Sequence, residues 1–516
     1  MRRSHWASGC VTILSLAAGL QAIGCFPLDY TEDDAASSAG GGGRGDQPPP
    51  SCVPGPQEGP DASCGVFVSS TAVEGDGTKD RPLTTLGAAI SAAASRDPGQ
   101  RNVYVCVGEL KEKVQLVSNG VHIHGSLDCE QGWRIADEGK RTTLSAEADQ
   151  IPLTIVGGSG DASTRIEDLD VRAQPAKAWG GSSIAVVADS AKVEFTRCTL
   201  EASDAKQGAT IDNFTMDAKA GLVGGNGDDA CQKAPGAGGE TEPLQCGTDM
   251  VTEGGSGGQG GVNSAGPGSA GTPMGTSNTG GDPQASAMAC GPGGSGDRGQ
   301  DGLPGEGAMS RGQISRTGYT GANGKSGMPG SLGQGGGGGG GARGGATASR
   351  CAGMPANGGA GGGAGGTGGC GGLGGSGGKA GGSSIAVISL ASEIHFDQVK
   401  LIAGKGGNGS AGQHGQTGGT GGLGGKGGIV PAEAPTTTDL KPACNGGDGG
   451  KGGDGGDGGG GAGGHSIAIA YRGALTPPAE GQGYTAQTSA AGEGGPGAGT
   501  AAGAAGQRGV VVSFDE

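Results

Sequence analysis

The peptide GGSSIAVVADSAKVEFTRCTLEASDAKQG runs from Gly180 to Gly208, and a close copy, GGSSIAVISLASEIHFDQVKLIAGKGGNG, runs from Gly381 to Gly409. The two copies align without gaps, and 11 of their 29 positions are identical. A third, shorter copy, GGHSIAIA, begins at Gly463. Internal repeats of this kind are typical of architectures in which one structural unit stacks on the next.

Apolar and polar residues alternate within both long copies. Short runs with a period of two, separated by glycine or polar residues, are typical of half-buried β-strands joined by turns. The apolar positions correspond between the copies: Ile184 and Val186 with Ile385 and Val387, Val193 and Phe195 with Ile394 and Phe396, and Cys198 and Leu200 with Val399 and Leu401. Cys198 takes a position that valine occupies in the second copy, which predicts a buried free thiol.

Further β-rich runs precede the first copy, and each is only three to five residues long: Val103–Val107, Val114–Val117, Val121–His124, Leu153–Val156 and Leu169–Val171. Short strands that recur between polar turns favour a solenoid, in which each coil buries its apolar face against a shared interior. The sequence therefore predicts an all-β fold of stacked coils.

The segment from Val66 to Gly108 contains the turn GDGT at Gly75–Thr78, followed by Pro82 and by leucines and an isoleucine at helical spacing. It resembles the opening of right-handed parallel β-helix proteins of the pectate-lyase-like superfamily. The resemblance implies a right-handed parallel β-helix whose open end is covered by a short N-terminal capping helix, around Leu86 and Ile90.

Glycine dominates the sequence between the copies. The chain has 127 glycines in 516 residues, 26 of them in the first 220 residues, and only 3 Trp, 5 Tyr and 6 Phe. Triplets such as GDRGQDGLPGEG from Gly296, and the GGX run from Gly446 to Gly464, suit polyproline-II helices, because their bare glycine face lets another backbone approach. Disorder is the alternative, because glycine loses the most conformational entropy on folding and buries no apolar side chain.

We therefore expect a β-helix that is interrupted by two glycine-rich insertions, either disordered or packed as polyproline-II-like helices. The expected organisation is a signal peptide at 1–24, a flexible lipidated tether at 25–63, the N-terminal part of the β-helix at 64–220, a glycine-rich insertion at 221–380, a β-helix coil at 381–403, a second insertion at 404–464 and C-terminal β-coils at 465–516.

The N-terminus predicts export. Two arginines precede an apolar run from Val11 to Ile23, which is too short to span a bilayer and long enough for a signal peptide. The run ends in Ala22-Ile23-Gly24-Cys25, which resembles the lipobox of bacterial lipoproteins, although leucine is usual where Ala22 stands. The resemblance implies that Cys25 is acylated and that the protein is held at the bacterial outer membrane or cell surface by its lipid. An ordinary secretory signal is the alternative.

The 13 cysteines suit an oxidising compartment. Without Cys10, in the leader, and Cys25, 13 − 2 leaves 11, an odd number. Neighbouring positions suggest five disulfides and leave Cys198 free: Cys52 with Cys64, Cys106 with Cys129, Cys231 with Cys246, Cys290 with Cys351, and Cys370 with Cys444. Sequence alone does not determine the connectivity. No CxxC spacing occurs, which argues against zinc.

Two groups of residues have the composition of a catalytic or metal site. Glu167, Asp168 and Asp170 are carboxylates that are close enough in sequence for general acid–base chemistry. His122 and His124 share a strand face and, with a third ligand, would suit a metal. Neither group resembles a catalytic signature of the lyase or polygalacturonase families, so we expect no catalytic residues, no metal and no cofactor.

The run GGDGGD from Gly452 matches the first six positions of the calcium-binding nonapeptide GGxGxDxUx, but Gly459 stands where its large apolar residue is required. Only weak surface binding of a hard cation is then open to Asp448, Asp454 and Asp457.

The net charge of the chain disfavours one class of binding partner. The chain carries a net charge of −16, and removal of two leader arginines leaves 32 basic against 50 acidic side chains, a net −18. Such a surface repels nucleic acid.

The glycine-rich loops resemble the repeats of bacterial PGRS-like surface proteins. We expect a structural, adhesive or binding role without catalysis, towards a cell-surface or matrix polysaccharide or protein. The alternative is a polysaccharide-active β-helix lyase or hydrolase, or a carbohydrate-binding module.

Overall fold

The computed structural model describes residues 51–158, 162–286, 288–345, 351–434, 440–497 and 501–514. Within these ranges the protein is nearly all β, with one α-helix, α1 (Leu86–Ala94), and two short 3-10 helices (Ala62–Cys64 and Pro98–Gln100). The strands are β1 (Gly65–Val68), β2 (Asn102–Cys106), β3 (Gly108–Lys111), β4 (Val114–Ser118), β5 (His122–Asp128), β6 (Arg134–Ile135), β7 (Thr142–Ser145), β8 (Leu153–Gly157), β9 (Thr164–Glu167), β10 (Leu169–Ala173), β11 (Ser183–Asp189), β12 (Lys192–Thr196), β13 (Thr199–Ala202), β14 (Leu244–Gln245), β15 (Val251–Thr252), β16 (Gln313–Ser315), β17 (Gly318–Thr320), β18 (Ser384–Leu390), β19 (Glu393–Asp397), β20 (Val399–Ala403), β21 (Ser466–Arg472), β22 (Tyr484–Thr488) and β23 (Arg508–Ser513).

Three large parallel sheets form what we call the sheet stack. Sheet A has the order β1-β2-β5-β9-β12-β19, sheet B has β3-β7-β10-β13-β20-β22, and sheet C has β4-β8-β11-β18-β21-β23. From β2 to β13 the main strands enter sheets A, B and C in turn, and the short β6 pairs antiparallel with β5. Each circuit of the chain thus adds one strand to each sheet.

The sequence repeat corresponds to neighbouring strands. Ile184 of β11 pairs with Ile385 of β18, and the same strand of the second copy pairs with the third copy, where Ile385 meets Ile467. In sheet A, Phe195 pairs with Phe396, with their rings stacked 6.0 Å apart. Identical residues therefore lie one above another, which is the arrangement that buries like side chains in a shared core.

Helix α1 covers one side of the core at the N-terminal strands, and its Leu86, Ala89, Ile90 and Ala93 are buried there. Thr85 caps the helix by accepting a hydrogen bond from the N–H of Ala88. Both carboxylate oxygens of Glu112 accept hydrogen bonds from the first helical N–H groups, which places a negative charge at the positive end of the helix dipole. None of the helices among the described residues has the length and hydropathy required to cross a membrane.

Sheet C is buried on both faces, which differs from the alternation expected at Ile184. Val186 lies in the main core, whereas Ile184 packs into a second apolar cluster on the other face. That cluster is covered by the hairpin of β16 and β17, which contributes Ile314, and by Phe514. The alternation expected through Ile184 and Val186 is therefore wrong: Ile184 and Val187 pack in the second cluster, whereas Val186 and Ala188 lie in the main core.

The glycine-rich stretches leave the sheet stack at one place. The connections from β13 to β18, from β20 to β21 and from β22 to β23 all run from sheet B to sheet C. Since these strands are neighbours, the three connections start and end side by side. Their described residues, within 203–383, 404–465 and 489–507, pack together in what we call the glycine bundle.

Backbone hydrogen bonds recur at every third residue of the glycine bundle. The N–H groups of Gly363, Gly366 and Gly369 donate to the carbonyls of residues 444, 447 and 450. Backbone N–H groups of 361–370 also donate hydrogen bonds to carbonyls within 219–228 and 255–258. The carbonyls of 361–370 accept hydrogen bonds from the N–H groups of residue 239 and of residues within 333–339 and 419–428. Together with 444–450, six segments therefore surround 361–370. Three residues per turn is the repeat of a polyproline-II helix. The described residues of the glycine-rich stretches are therefore packed against one another, which is the second of the two alternatives, disorder or packing, that the sequence left open.

Candidate functional site

The acidic residues Glu167, Asp168 and Asp170 lie together at the turn from sheet A to sheet B, beside two arginines. Arg141 contacts Asp168 at 3.2 Å and Asp170 at 2.9 Å, and Arg197 contacts Asp168 at 2.7 Å and Glu167 at 3.3 Å. The arginines alternate with the carboxylates along the stack, so two of the three negative charges are balanced from within the protein.

This pairing limits the chemistry open to the carboxylates. Asp170 also accepts a hydrogen bond from the N–H of Thr199 at 3.0 Å, which ties it to the next strand. The pKa of Glu167 is lowered, first by its contact with the His124 ring, whose Nδ1 lies 3.8 Å away, and also by the charge of Arg197. A general acid needs a raised pKa so that it holds a proton, and a general base needs a free lone pair, so the arrangement favours an ion-paired turn over a catalytic dyad.

The two histidines of β5 have separate surroundings. His124 is buried and stacks on Tyr104 at 5.3 Å, with Nε2 3.4 Å from Asn102 Oδ1 and Nδ1 3.8 Å from Glu167. Burial lowers the pKa of His122. No group of three His, Cys, Asp or Glu side chains suited to a metal occurs among the residues that the structure describes.

Three aspartates of one segment accept hydrogen bonds from backbone N–H groups of the antiparallel neighbouring segment. They are Asp448, Asp454 and Asp457, spaced by six and then three residues. Asp448 binds the N–H of Gly424 at 2.8 Å, and Asp454 binds that of Gly418 at 2.7 Å. Asp457 likewise accepts from Gly415 at 2.8 Å. These carboxylates link neighbouring segments of the glycine bundle. The likeness to the calcium-binding nonapeptide did not predict this structural role.

Ten of the cysteines that the structure describes form five disulfides, and the connectivity differs in part from that expected. Cys52 is joined to Cys64, and Cys106 to Cys129, as neighbouring positions suggested. The other three bonds are Cys231 with Cys351, Cys246 with Cys370 and Cys290 with Cys444. The three expected pairs Cys231–Cys246, Cys290–Cys351 and Cys370–Cys444 are therefore wrong, because the glycine bundle brings together segments more than a hundred residues apart.

Cys198 is the free cysteine among the described residues, and it is buried. Its Sγ lies 3.3 Å from the carbonyl oxygens of Ile166 and Thr196. Burial raises the pKa of the thiol to about 12, so the nucleophilic thiolate is absent at neutral pH.

Sequence reasoning missed a cleft of about 320 Å³ between successive connections from sheet B to sheet C. It is lined by residues that follow β7 and β10 together with Lys111 of β3: Lys111, Ser145, Ala146, Glu147, Ala148, Gln174, Pro175, Ala176 and Lys177. Trp179, two residues beyond the cleft on the same loop, is 57% exposed. The lining residues come from three separate stretches of the chain, so no local sequence pattern joined them.

The outer surface of the glycine bundle carries a regular row of side chains. In 404–430 every third residue is exposed: Lys405, Asn408, Ala411, His414, Thr417, Thr420, Leu423, Lys426 and Ile429. A polyproline-II helix rises about 3.1 Å per residue, so neighbours in this row are about 9 Å apart. The backbone beneath the row is held by hydrogen bonds from one segment to the next.

Comparison with known protein families, curated proteins and solved structures found no match to this chain. The expected signal peptide, 1–24, and the expected lipidation site, Cys25, lie outside the residues that the structure describes.

Proposed function

We propose that this is an exported, lipid-anchored surface protein with a binding or adhesive role and no catalytic activity. In this proposal a right-handed parallel β-helix is the scaffold, and a bundle of polyproline-II-like helices is the part displayed to a partner. The observation that carries it is the exposed row at every third residue of 404–430. A backbone that is already held by hydrogen bonds loses little further conformational entropy when the side chains it carries bind a partner.

The scaffold inference rests on the sheet topology. Successive strands enter three parallel sheets in turn, and each connection between parallel strands of one sheet is a crossover. Such crossovers are right-handed in about 98% of proteins. A β-helix of this kind is rigid, and its turns accept long insertions without disturbing the strands.

Export and lipid anchoring rest on the leader and on the cysteines. The lipobox-like Ala22–Cys25 supports acylation. Five disulfides in the described residues support an oxidising compartment outside the cytoplasm. The net charge of −16 keeps such a chain soluble and disfavours nucleic acid as a partner.

Binding of the labelled, purified exported chain to a panel of intact bacterial cells and surface polysaccharides tests the function. We expect saturable binding that the pair of changes Thr420→Glu and Leu423→Glu weakens at least tenfold, because both side chains are exposed in the row. Leu475→Glu, at an exposed residue after β21, is the matched control and leaves binding unchanged. Depolymerisation of a polysaccharide, abolished by Asp170→Asn, would overturn the proposal in favour of an enzyme.

Lipid anchoring has its own test. Cells that express the full chain are given radioactive palmitate, and we expect label in the wild-type protein and none in the variant Cys25→Ser. Undiminished labelling of that variant would contradict the anchor while leaving the binding role open.

A further inference from the structure

Sheet A ends one strand before the other two large sheets. Strands β19, β20 and β21 enter sheets A, B and C in turn, but the chain then passes directly to β22 of sheet B and β23 of sheet C. The stretch 473–483, GALTPPAEGQG, stands where the next strand of sheet A would run. Among the described residues, the outer edge of β19 is therefore without a neighbouring strand.

Both ends of 473–483 are bonded to residues on either side of β19, whereas its middle departs from that strand. The N–H of Ala391 donates to the carbonyl of Arg472 at 2.9 Å, and the N–H of Val399 donates to that of Gly483 at 3.0 Å. Between these two bonds lies a cleft of about 610 Å³, which we call the strand slot. It is lined on one side by Ser392–Phe396 and on the other by residues within 475–482.

The sequence of 473–483 explains why this stretch does not pair with β19. Pro477 and Pro478 have no N–H to donate to a neighbouring strand. Gly483 has a φ of 84°, which is incompatible with an extended strand. The hydroxyl of Tyr484 donates to the carbonyl of Pro478 at 3.0 Å and holds the stretch in its bowed conformation. The strand slot is thus open before any partner arrives.

The outer edge of β19 presents backbone groups to the slot. The N–H of Glu393 donates to the carbonyl of Ala191, in the preceding circuit, at 2.9 Å. Successive residues of a strand direct their N–H and C=O groups to opposite sides, so those of Ile394 and Phe396 face the slot. No strand or loop residue in the described part of the chain accepts a hydrogen bond from either N–H. An unpaired edge of this kind is a template for a further strand.

The inward side of the slot is apolar. Ile394 and Phe396 belong to the main core, where they pair with Val193 and Phe195 of β12. A further strand would set its own inward side chains beside Ile394 and Phe396. Because successive side chains of a strand point to opposite faces, apolar residues are required at every second position of that strand.

The outer side of the slot is acidic. The two stretches beside it, 392–399 and 473–483, contain no lysine or arginine but three carboxylates: Glu393, Asp397 and Glu480. On this face the preceding strands pair opposite charges, as in Lys192 with Glu393 at 4.0 Å. Basic side chains at the outward positions of an incoming strand would continue this pattern.

From these features we propose that the strand slot binds an extended peptide segment of a partner protein, which joins sheet A beyond β19. Apolar side chains at every second position of the segment face the core, and basic side chains lie above Glu393 and Asp397. Main-chain hydrogen bonds to Ile394 and Phe396 supply affinity, and the alternation of side chains supplies specificity. This site is separate from the exposed row of the glycine bundle and goes beyond the binding role proposed above.

Fluorescence anisotropy of a labelled peptide tests the site with the purified exported chain. The probe is Gly-Lys-Val-Thr-Val-Lys-Gly with blocked ends, in which valines alternate with lysines and a threonine. Three comparison peptides carry glutamate for both lysines, serine for both valines, or proline for the threonine. We expect the probe to bind with a Kd below about 0.1 mM and each comparison peptide to bind at least tenfold more weakly. The proline peptide loses the central N–H that would donate to β19.

Variants of the protein test the charge of the slot. Glu393→Lys should weaken binding of the probe at least tenfold, because it places a basic residue below the lysine of the peptide. Glu74→Lys is the matched control, since it makes the same change of charge at an exposed residue before α1. It should bind the probe as the wild type does.

Amide hydrogen exchange locates the bound peptide. We expect the N–H groups of Ile394 and Phe396 to exchange fast in the free protein and to become protected when the probe is saturating. The N–H of Glu393, which is already bonded to Ala191, should be protected in both states.

The proposal fails if the probe does not bind with a Kd below about 0.1 mM, if the proline peptide binds as tightly, or if Glu393→Lys leaves binding unchanged. Protection of Ile394 and Phe396 in the free, monomeric protein would show that the chain fills its own slot. A dimer in sedimentation velocity that the probe dissociates would assign the slot to a second copy, and a separate partner would be wrong. None of these results bears on binding to cells through the exposed row.

Discussion

Individual glycines in the bundle are required by close backbone approach. A Cβ built on Gly455 would overlap the carbonyl oxygen of Leu373, and one built on Gly458 would overlap that of Ser376. The atoms in the way are backbone atoms of neighbouring segments, which cannot rotate aside as a side chain would. The space for a methyl group is therefore absent.

The first prediction is that Gly455→Ala destabilises the protein by about 1–3 kcal/mol or more, because overpacking forces backbone shifts. Gly99→Ala is the matched control, since a Cβ there meets nothing within 4 Å. Denaturant unfolding of both variants measures the difference in the free energy of unfolding. Equal stability of the two variants would mean that the segments around Gly455 are not packed as described.

A second residue-scale prediction concerns His465, which joins three parts of the molecule. Its Nδ1 accepts the N–H of Gln507 at 2.8 Å, so Nε2 carries the proton and donates to the carbonyl of Arg311 at 2.7 Å. Its ring lies edge-on to Tyr319 and Phe514. Burial lowers the pKa of His465, and the charge of Arg311 adds to this.

Because the folded pKa lies below the unfolded value of about 6.5, the unfolded chain binds the proton more readily. The stability that neutral His465 contributes is present above pH about 6.5 and is lost as the pH falls towards the folded pKa. We expect the free energy of unfolding to decrease less between pH 7.5 and 5 in His465→Asn than in the wild type. His395→Asn, which removes an exposed histidine, should retain the wild-type dependence.

At the scale of elements, the β16–β17 hairpin links the glycine bundle to sheet C. Ile314 is 1% exposed, and it packs against a cluster that includes Ile184, Ile385 and Ile467. These three isoleucines occupy the same position in the three copies of the repeat. The hairpin therefore covers an apolar column that the repeat creates on the outer face of the sheet.

We expect Ile314→Ala to lower the free energy of unfolding by about 2–4 kcal/mol, because it leaves a cavity at the centre of this cluster. Leu303→Ala removes a side chain of similar size that is 67% exposed, and should change stability by less than about 0.5 kcal/mol. Thermal and denaturant unfolding check both values. A small effect at Ile314 would show that the hairpin does not pack on sheet C.

The disulfides of the bundle close much longer loops than those of the sheet stack. Cys290 and Cys444 are 154 residues apart, whereas Cys52 and Cys64 are 12 apart. In the chain-entropy account, a loop of 15 residues corresponds to about 3 kcal/mol and one of 100 residues to about 4.7 kcal/mol.

Replacing both Cys290 and Cys444 by alanine should therefore destabilise the protein by about 2 kcal/mol more than replacing both Cys52 and Cys64. Unfolding in guanidinium chloride without reductant measures the two effects. The opposite order would indicate that the bundle segments remain associated in the unfolded chain.

For the whole molecule, the number of glycines per triplet follows the number of neighbouring segments. The run 335–341 is all glycine and exchanges hydrogen bonds with segments on every side. The segment 296–307 has about one glycine per triplet and lies at the edge, against 324–337 and 448–460. Each face of a segment that meets another backbone needs a glycine at that position. The glycine content of a segment therefore indicates how deeply it lies within the glycine bundle.

This arrangement predicts a contrast in amide hydrogen exchange. Every N–H from residue 361 to residue 370 is hydrogen bonded, whereas in 296–307 the backbone bonds fall mainly at every third residue. We expect uniform slow exchange in the first segment and a period of three in the second, measured residue by residue by NMR or fragmentation mass spectrometry. Fast exchange throughout 361–370 would contradict the packed bundle.

Several features followed from the sequence because they depend on local pattern or on the repeat. Alternating residues predicted strands close to the observed β2, β4, β8 and β10, and the helical spacing of Leu86 and Ile90 predicted α1. The matched copies identified neighbouring strands 201 residues apart, because identical units that stack in register bury identical side chains.

Tertiary structure alone decided the rest. The glycine-rich segments resemble one another, so nothing local tells which of them meet, and the bundle disulfides could not be paired in advance. The carboxylates at Asp168 and Asp170 looked available until Arg141 and Arg197 were found beside them. The cleft lined by Lys111, Glu147 and Gln174 is assembled from successive circuits of the chain. All three depend on contacts between residues far apart in sequence. The stacking of the circuits creates such contacts at the carboxylates and the cleft, and the packing of the glycine bundle creates them at the disulfides.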